Sequence, residues 1–315
     1  MSQLKIGVDL GGTNTRAGLV TEEGEIIGRH QCPTRLDLGS DGVVEGIVAC
    51  AKEAAKAGGF QLSDVRGVGV GSPGPLDPFD GVIISPANLP CMCGFRLRER
   101  MEEILKLPVA VDNDANVAAL GEQWKGVGQG IDHFLCITLG TGVGGGWVVN
   151  GALMHGFNGN AAEVGHMSID LNGPRCSCGN YGCLEMYVSA PAVARRARAR
   201  LAEGGVETSL DAEGLTTKVI TEAAEAGDAF ATTILEETGF FLGVGVVNLV
   251  SVMNVDVVVL AGGLALAGAR ILDPARRTFM ERGATGVKES VRIVKAELGD
   301  DAGIMGAVRL LREKT

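Results

Sequence analysis

Residues 6–20 read IGVDLGGTNTRAGLV, and residues 135–149 read LCITLGTGVGGGWVV. The two stretches align with a constant offset, and each consists of an apolar strand, a polar residue, a glycine-rich turn and a second apolar strand. A weaker correspondence links VGVGSPG at 68–74 to VVLAGGL at 258–264, because each is a strand that ends in glycines. Repeated units of this kind predict two related lobes that face one another.

Strands and helices are predicted to alternate along the chain, which is the pattern of an α/β fold. The predicted strands cover 4–10, 16–20, 25–29, 67–71, 109–111, 134–139, 146–150 and 255–261. The predicted helices cover 41–57, 96–106, 115–126, 190–203, 216–226, 228–253, 271–282 and 302–312. The apolar segment 239–260 is interrupted by Asn248, Asn254 and Asp256, and a bilayer span needs about 20 apolar residues. We therefore expect a buried helix that leads into a buried strand, and no membrane partner.

Composition narrows the class of protein further. The 315 residues are 46% hydrophobic, which is enough for two lobes of ordinary size. The formal net charge of −10 argues against a nucleic-acid partner, because phosphate backbones are bound by clustered Lys and Arg. The first residues, MSQLKIGVDLGG, lack the apolar core of a signal peptide. We expect a cytoplasmic protein, in which disulfides are rare.

The paired glycine turns favour phosphate binding. A glycine turn lets backbone N–H groups approach an anion with no Cβ in the way, and two such turns can hold one polyphosphate from opposite sides. The competing interpretation is that the glycines only make tight hairpins. For one turn alone the two interpretations are balanced, and the presence of a matching pair favours phosphate.

Three other motif matches fail. Gly140, Gly142 and Gly145 satisfy G-x-G-x-x-G, but the following residues continue as a strand, whereas the dinucleotide fingerprint opens a helix. No G-x-x-x-x-G-K-[ST] occurs, so the chain is not a P-loop enzyme. Ser72 lies in a glycine-rich turn, but residue 70 is Val, which argues against the nucleophile elbow of a hydrolase.

The stretch VDNDANVAALGE at 111–122 predicts the start of a helix, with Asp112 or Asn113 as the N-cap. Asp114 is then in or beside the first turn, where the helix dipole favours its ionised form. An ionised carboxylate can accept the proton of a hydroxyl that attacks phosphorus. Taken alone, the stretch is better explained as a plain capping cluster, because such caps are common at helix starts.

The stretch RCSCGNYGCLE at 175–185 places three cysteines within eight positions, and EVGH lies shortly before it. His166, Cys176, Cys178 and Cys183 give the spacing H-x9-C-x-C-x4-C. Three thiolates and an imidazole make a closed tetrahedral zinc set, which is typical of structural sites. A redox pair is the competing interpretation, but it leaves the third cysteine and the histidine unexplained. We predict a structural Zn²⁺ site.

Eight motifs in order resemble the ROK family of sugar kinases and repressors, and most closely its bacterial ATP-dependent glucokinases. They are DLGGTNTRAGL at 9–19, GSPGPLD at 71–77, NLP at 88–90, DNDANVAALGE at 112–122, TLGTGVGGG at 138–146, EVGH at 163–166, CSCGNYGCLE at 176–185 and LAGGL at 260–264. The resemblance implies an α/β fold of the two-lobed, actin-like and ribonuclease-H-like ATPase type. It also implies a duplicated core that contains β-hairpins, and an inserted zinc-binding segment.

The resemblance implies a role for each matching residue. Asp114 matches the catalytic base that takes the proton of the sugar's 6-hydroxyl. The residues that match the sugar-binding set are Asn88, Asn113, Asp114, Glu163, His166 and Glu185. The residues that match the nucleotide-binding set are Gly11, Gly12 and Thr13 in the first turn, Gly140, Thr141 and Gly142 in the second turn, Asp9 near Mg²⁺, and Gly262 and Gly263 beside the adenosine.

The activity so implied is transfer of phosphate from Mg-ATP to the 6-hydroxyl of a hexose, most closely glucose to glucose 6-phosphate. Fructose, mannose, allose, N-acetylmannosamine and N-acetylglucosamine remain open as substrates, because pocket shape is not visible in the motifs. A repressor of this family carries a helix-turn-helix domain before the first strand, and here that strand begins near Leu4. A sugar-binding regulator without turnover remains the other alternative, although it predicts loss of Asp114 or of a phosphate turn. The resemblance also implies a homodimer.

The predicted lobes comprise residues 1–114 with 302–315, and residues 115–301. Two departures from the family pattern stand out. NLPCMCGF at 88–95 is longer than the family's NLP-G-aromatic stretch, and Ala162 stands where the family commonly has Gly before Glu163. We expect the alanine to be tolerated.

Overall fold

The predicted alternation of strands and helices is present in the computed structural model, which describes residues 3–313 and the side chains of residues 3–311. The strands are β1 (Leu4–Leu10), β2 (Asn14–Val20), β3 (Ile26–Pro33), β4 (Val65–Ser72), β5 (Leu76–Asp77), β6 (Val82–Ile83), β7 (Phe95–Arg96), β8 (Val109–Asn113), β9 (Phe134–Leu139), β10 (Val143–Val149), β11 (Ala152–Leu153), β12 (Val257–Ala261) and β13 (Arg292–Lys295). The α-helices are α1 (Gly39–Ala57), α2 (Leu97–Leu105), α3 (Asp114–Lys125), α4 (Glu185–Val188), α5 (Ala190–Glu203), α6 (Thr217–Glu225), α7 (Ala229–Met253), α8 (Ala269–Arg282) and α9 (Asp301–Glu313).

Each long predicted element is observed, with ends that shift by a few residues. The elements that the sequence analysis missed are the short ones: β5, β6, β7, β11, β13 and α4. Two-residue strands are too short to show an alternating pattern, and β13 reads RIVK with only Ile293 buried. Such segments become strands because a neighbouring strand supplies the hydrogen bonds.

The chain packs into two units. The first comprises Met1–Asp132, Gly146–Ala162 and Glu297–Thr315, and the second comprises His133–Gly145 and Glu163–Ala296. The lobe boundaries predicted from the sequence, 1–114 with 302–315 and 115–301, stay a prediction. Residues 314–315 of the first predicted lobe lie outside the described residues.

The main sheet of the first unit has the strand order β3-β2-β1-β4-β8. β1, β4 and β8 run parallel, with Asp9 opposite Gly71 and Ser72 opposite Asn113. The turn after β1, the turn after β4 and the start of α3 after β8 therefore leave the sheet at the same edge. Ligands of α/β sheets bind at this carboxyl edge of the strands. A small antiparallel sheet, β5-β6-β7, follows β4.

The second sheet has the strand order β11-β10-β9-β12-β13, and the boundary between the units falls within β10. β12 runs parallel to β9, with Ala261 opposite Thr138. Both sheets therefore contain three consecutive strands followed by two parallel ones in the same spatial order. β4 corresponds to β12, as the weaker sequence repeat predicted, and the predicted duplicated core is present.

Helix α9 packs closely against β4 and α3 of the first unit. A Cβ built on Gly306 of α9 would lie 1.6 Å from the carbonyl oxygen of Val117 in α3, so the two backbones are in contact. A Cβ built on Gly69 of β4 would lie 1.7 Å from the carbonyl oxygen of Ala307. Side chains at these positions would separate α9 from the strand and the helix that it braces.

Helix α7 accounts for the apolar segment at 239–260, and it leads into the fully buried strand β12, as predicted. Among the described residues, α7 is the one helix whose length and composition would suit a membrane span. More than half of its apolar window is buried inside the protein, which is also the property of a core helix.

Candidate active site and metal centre

The first glycine turn, Gly11–Thr13, connects β1 to β2 and is held by backbone contacts. Gly11 N donates to Asn14 O at 2.9 Å, and Thr34 N donates to Thr13 O at 2.8 Å. The Thr34 hydroxyl donates to Gly11 O at 2.7 Å. The turn is therefore held by hydrogen bonds within the protein, two of them from Thr34 directly after β3, and such bonds preorganise an anion cradle.

Asn88 lies against this turn. A Cβ built on Gly12 would be 3.0 Å from the carbonyl oxygen of Asn88 and 3.1 Å from its Cβ. The segment after Asn88 is held by a 3₁₀ helix at Pro90–Met92 with a buried Met92, and by the Cys93 thiol, which donates to Ile84 O at 3.2 Å. The added CMC residues thus anchor the segment, and Asn88 itself remains exposed.

Asp9 is the penultimate residue of β1 and lies close to the first turn. Burial raises the pKa of Asp9, while Arg16, at 3.6 Å, opposes that rise, and Asp300 adds to it. The same guanidinium lies 3.4 Å from Asp300. A carboxylate that is costly to ionise would be relieved by a divalent cation, and carboxylate oxygens are the protein ligands that Mg²⁺ uses. The residue fits the Mg²⁺ role that the resemblance implies.

Asp114 is the first residue of α3, and Asn113 is its N-cap. Ala115 N donates both to the Asn113 side-chain oxygen and to Asp114 Oδ1, each at 2.9 Å. This settles which of the two predicted residues caps the helix. Asp114 is nevertheless exposed, so its carboxylate is accessible to a ligand at the helix N-terminus, where the dipole favours negative charge.

Asp112, directly before this cap, is buried and was not predicted as a functional residue. Its Oδ1 accepts from Asn113 N at 2.7 Å and from Asn116 Nδ2 at 2.9 Å. Its Oδ2 lies 2.6 Å from His155 Nε2. Because the partners are 43 positions apart, no local sequence signal could have found this pair.

In the second unit, the turn Gly140–Gly142 connects β9 to β10 and is tied to the segment 185–190. Ala190 N donates to Gly140 O at 2.8 Å. Val143 N, directly after the turn, donates to Glu185 Oε2 at 2.9 Å. The Glu185 carboxylate was predicted only as a sugar ligand, and in the structure it holds the end of the predicted second phosphate turn.

Gly262 and Gly263 follow β12 beside the same turn. Gly262 has φ +87°, and a Cβ on it would lie 2.5 Å from the carbonyl oxygen of Leu139. A Cβ on Gly263 would meet nothing within 4 Å. The structure therefore brings the predicted adenosine turn next to the predicted second phosphate turn within the second unit.

The predicted metal ligands His166, Cys176, Cys178 and Cys183 form one cluster, with their donor atoms all within 4.8 Å of one another. Cys176 Sγ lies 3.7 Å from His166 Nδ1, and Cys178 Sγ lies 3.7 Å from Cys183 Sγ. Tetrahedral zinc, with Zn–S of about 2.3 Å and Zn–N of about 2.0 Å, places its ligand atoms about 3.5–3.8 Å apart. The donor set and its spacing fit zinc.

The rest of the cluster supports this assignment. All eight cysteines are free thiols, and no disulfide joins Cys176, Cys178 and Cys183. Burial raises the pKa of the Cys183 thiol to about 12. A thiolate there therefore needs a cation beside it, as a metal ligand has. Around the cluster, Cys176 N donates to Asn180 O at 2.8 Å, and the Tyr187 hydroxyl donates to Asp170 Oδ2 at 2.7 Å.

His166 presents its two ring nitrogens to different surroundings. Nδ1 faces the thiols, whereas Nε2 lies 3.9 Å from Glu163 Oε2. Both side chains are accessible, with 36% of His166 and 51% of Glu163 exposed. Coordination through Nδ1 would fix the tautomer with the proton on Nε2, which leaves a hydrogen-bond donor next to the Glu163 carboxylate.

The predicted site residues thus gather into two groups. In the first unit, the structure brings Asn88 to Gly12 and places Asn113 and Asp114 at the same sheet edge as the first turn. In the second unit, it brings Glu185 to the predicted second phosphate turn and Glu163 to His166.

Comparison with known proteins places the chain. The ROK family model matches residues 5–314. The glucokinase of Halalkalibacterium halodurans is 38% identical over 314 residues, covering 98% of this chain and 95% of that protein. The xylose repressor of Caldicellulosiruptor bescii is 27% identical over 97% of this chain and 77% of its own length. The crystal structure of a ROK family glucokinase from Streptomyces griseus, in complex with glucose and AMPPNP, has a TM-score of 0.85 and 35% identity, and the match covers 98% of this chain and 99% of that one.

The fold is therefore the two-lobed sugar-kinase fold with mixed α/β sheets, and the protein is an ATP-dependent sugar kinase, as predicted. The chain belongs to the ROK family. That family also includes repressors, so membership alone identifies neither the sugar nor the catalytic base.

Proposed function

We propose that the protein phosphorylates a hexose at its 6-hydroxyl, with glucose as the preferred sugar, Mg-ATP as the donor and Asp114 as the general base. The observation that carries the proposal is the exposed Asp114 carboxylate in the first turn of α3, directly after the Asn113 cap. A base must reach the proton that it removes, and a carboxylate at a helix N-terminus stays ionised and accessible.

The reaction balances with the groups present. The proton of the sugar's 6-hydroxyl passes to an Asp114 carboxylate oxygen as the sugar oxygen forms a bond to the γ-phosphorus. The bond from that phosphorus to the β–γ bridging oxygen breaks, and ADP leaves with the electron pair. Phosphoryl transfer asks mainly for alignment and charge neutralisation, which two backbone N–H cradles provide. Asp9 would help to hold the Mg²⁺ that accompanies ATP, and the ion would supply positive charge to the phosphate oxygens.

The remaining residues divide the substrates between them. Gly11, Gly12 and Thr13, together with Gly140, Thr141 and Gly142, hold the phosphates, and Gly262 and Gly263 lie beside the adenosine. Asn88, Asn113, Glu163, His166 and Glu185 bind the sugar hydroxyls. Carboxylate and amide groups suit a polyol because its hydroxyls both donate and accept. The placement of Asn88 against Gly12 supports its sugar role despite the longer NLPCMCGF segment.

We assign the Cys/His cluster to a structural zinc ion that shapes the sugar-binding residues and takes no part in phosphoryl transfer. His166, Cys176, Cys178 and Cys183 fill four tetrahedral positions, which leaves no open position for water or substrate. Cys183 lies two residues before Glu185, so the metal would fix both His166 and the segment that carries Glu185.

The test is an ADP-release assay with purified protein, Mg-ATP and a panel of hexoses and N-acetylhexosamines, with Asp114→Asn alongside. We expect rapid turnover of glucose, weak turnover of N-acetylhexosamines and a loss of at least about 10³-fold in kcat for the variant, since the base and its charge are removed together. A faster sugar in the panel would replace glucose and leave the mechanism standing. Full activity of Asp114→Asn would overturn the assignment of the base.

A sugar-responsive regulator is the second candidate, because a xylose repressor is among the relatives. It predicts a hexose that binds without turnover. The presence of Asp114 and both glycine turns favours catalysis over that role. As part of the same proposal, we place the enzyme in the cytoplasm as a homodimer, and light scattering of the purified protein tests the dimer.

A further inference from the structure

The strongest feature that the proposed reaction does not use is the pair formed by Asp112 and His155. Asp112 is 1% exposed, and three donors surround its two carboxylate oxygens: Asn113 N, Asn116 Nδ2 and His155 Nε2. An ionised carboxylate accepts only, so the histidine donates through Nε2. The distance of 2.6 Å is that of a short, charge-assisted contact.

The carboxylate also holds the start of α3 in place, through one backbone N–H and one side-chain amide. Asp112 Oδ1 binds the main chain of Asn113 and the side chain of Asn116, residues on either side of Asp114. The hydrogen bonds of Asp112 to Asn113 and Asn116 therefore fix the backbone that orients the Asp114 side chain. Asp112 is the last buried residue of β8, so the carboxylate that makes these hydrogen bonds is itself held by the sheet.

His155 reaches Asp112 from the loop 154–162. The loop is closed by Ala161 N, which donates to His155 O at 3.1 Å, and the imidazole packs on Phe79 with ring centroids 5.7 Å apart. Only 24% of the His155 side chain is exposed. The imidazole is therefore held by aromatic packing on one side and directed at the buried carboxylate on the other.

We propose that His155 is a positioning residue for catalysis, which acts through Asp112 to hold the Asn113–Asp114 turn in the orientation that accepts the sugar's proton. The inference rests on the proposed role of Asp114. A displacement of the order of 1 Å at a reacting group can cost about 10²-fold in rate. Loss of the hydrogen bond from His155 to Asp112 should therefore lower kcat more than it weakens substrate binding.

The test compares His155→Phe, Asp112→Asn and the double variant with the wild type. His155→Phe keeps an aromatic ring against Phe79 and removes only the N–H donor. His30→Phe is the matched control, since His30 is half-exposed on β3 of the same unit and its ring has no hydrogen bond or ion pair among the described residues. The measured quantities are kcat, KM for sugar, KM for Mg-ATP and near-UV circular dichroism.

We expect His155→Phe to lower kcat by about tenfold or more with both KM values within about threefold, which is a kcat-against-KM split that simple loss of binding would not give. The double variant should be no slower than the slower single variant, because the two residues act as one unit. His30→Phe should match the wild type. If Asp112→Asn fails to fold, the His155→Phe result decides alone.

A kcat within twofold of the wild type for His155→Phe would overturn the proposal. So would a loss of activity that matches the fraction of unfolded protein, because the role would then be structural. The Asp114→Asn variant separates this outcome from failure of the proposed function. If Asp114→Asn is inactive while His155→Phe is fully active, the base stands and the positioning role falls.

Discussion

The carboxylate of Glu185 accepts a hydrogen bond from the backbone N–H of Val143 at 2.9 Å, directly after the turn Gly140–Gly142. A Cβ built on Gly142 would lie 2.7 Å from the same oxygen. Glu185 lies two residues after Cys183, one of the four proposed zinc ligands, and is the first residue of α4. One side chain thus joins the Cys/His cluster to the turn proposed to hold phosphate, within the second unit.

Substitution of Glu185 should therefore affect both substrates. We expect Glu185→Ala to weaken sugar binding by about 10-fold to 100-fold, since a hydrogen bond to a charged group contributes about 1.5–3 kcal/mol. Affinity for AMPPNP should fall by about threefold. Glu185→Gln keeps an oxygen for Val143 N and should restore nucleotide affinity. Calorimetric titration measures both ligands.

Glu163→Ala is the matched control for Glu185, because Glu163 is exposed and contacts His166 rather than the phosphate turn. It should weaken sugar binding alone. Equal loss of nucleotide affinity in Glu163→Ala and Glu185→Ala would contradict the idea that Glu185 supports the turn Gly140–Gly142.

Loss of the metal should loosen sugar binding more than ATP binding. Cys178→Ser changes an exposed ligand and should lower zinc from about one ion per chain to a small fraction, since a closed site needs its four ligands. Sugar affinity should fall by about tenfold or more, within the range for disrupted metal sites. Metal analysis and calorimetry provide the two readouts. Cys93→Ser, an exposed thiol outside the cluster, should retain both properties, and equal losses for sugar and ATP would refute the assignment.

In the turn proposed to lie beside the adenosine, Gly262 is the glycine that we expect to tolerate no side chain. Gly262→Ala should lower the free energy of unfolding by about 2 kcal/mol, because a Cβ adds left-handed strain and a clash with the Leu139 backbone. Gly263→Ala should change stability by about 0.5 kcal/mol or less, since the space is open. Urea unfolding decides between them, and similar effects of both substitutions would show that the turn adapts.

Ala162 has φ +60°, a left-handed conformation that costs an L-residue about 1–2 kcal/mol. The alanine is accommodated, as expected from the sequence, but at this cost. We expect Ala162→Gly to stabilise the protein by about 0.5–1 kcal/mol after the greater freedom of glycine in the unfolded chain is subtracted. Its neighbour Ala161 has no positive φ, so Ala161→Gly should destabilise by a similar amount. If urea unfolding showed that both substitutions change the free energy of unfolding in the same direction, the backbone strain at Ala162 would be contradicted.

Asp228, the N-cap of α7, should make stability depend on acid. Burial tends to raise the pKa of Asp228, but donors from Ala231, Ser209 and Thr208 outweigh it and lower the pKa to about 2. A depressed carboxyl pKa contributes stability above the unfolded value, and that contribution is lost as pH falls from about 4 toward 2. Asp228→Ala should cost about 1 kcal/mol at pH 7 and less at pH 3, measured by denaturant unfolding. Glu207→Ala, at an exposed loop position, should show no such convergence.

Much of the fold was accessible from the sequence because its signals are local. The repeated strand–turn–strand units, the Asn113 cap and the spacing of His166 with its three cysteines each depend on residues close along the chain. A helix cap is chosen by backbone groups two or three residues away, and a metal loop by donors within about 20 residues. These features appear where the patterns predict them.

The contacts that join the site residues were decided by tertiary structure. Asp112 meets His155 across 43 positions and Glu185 meets Val143 across 42, and Asn88 lies on Gly12. Such distances are set by sheet register and loop closure, and neither leaves a mark in the local composition. The short strands β5, β6, β7, β11 and β13 exist for the same reason, because only a neighbouring strand supplies their hydrogen bonds. The sequence by itself determined which chemical groups the protein has and which local structures carry them. Tertiary packing decided which of those groups touch, because each contact depends on the register of strands and the closure of loops that are distant in the sequence.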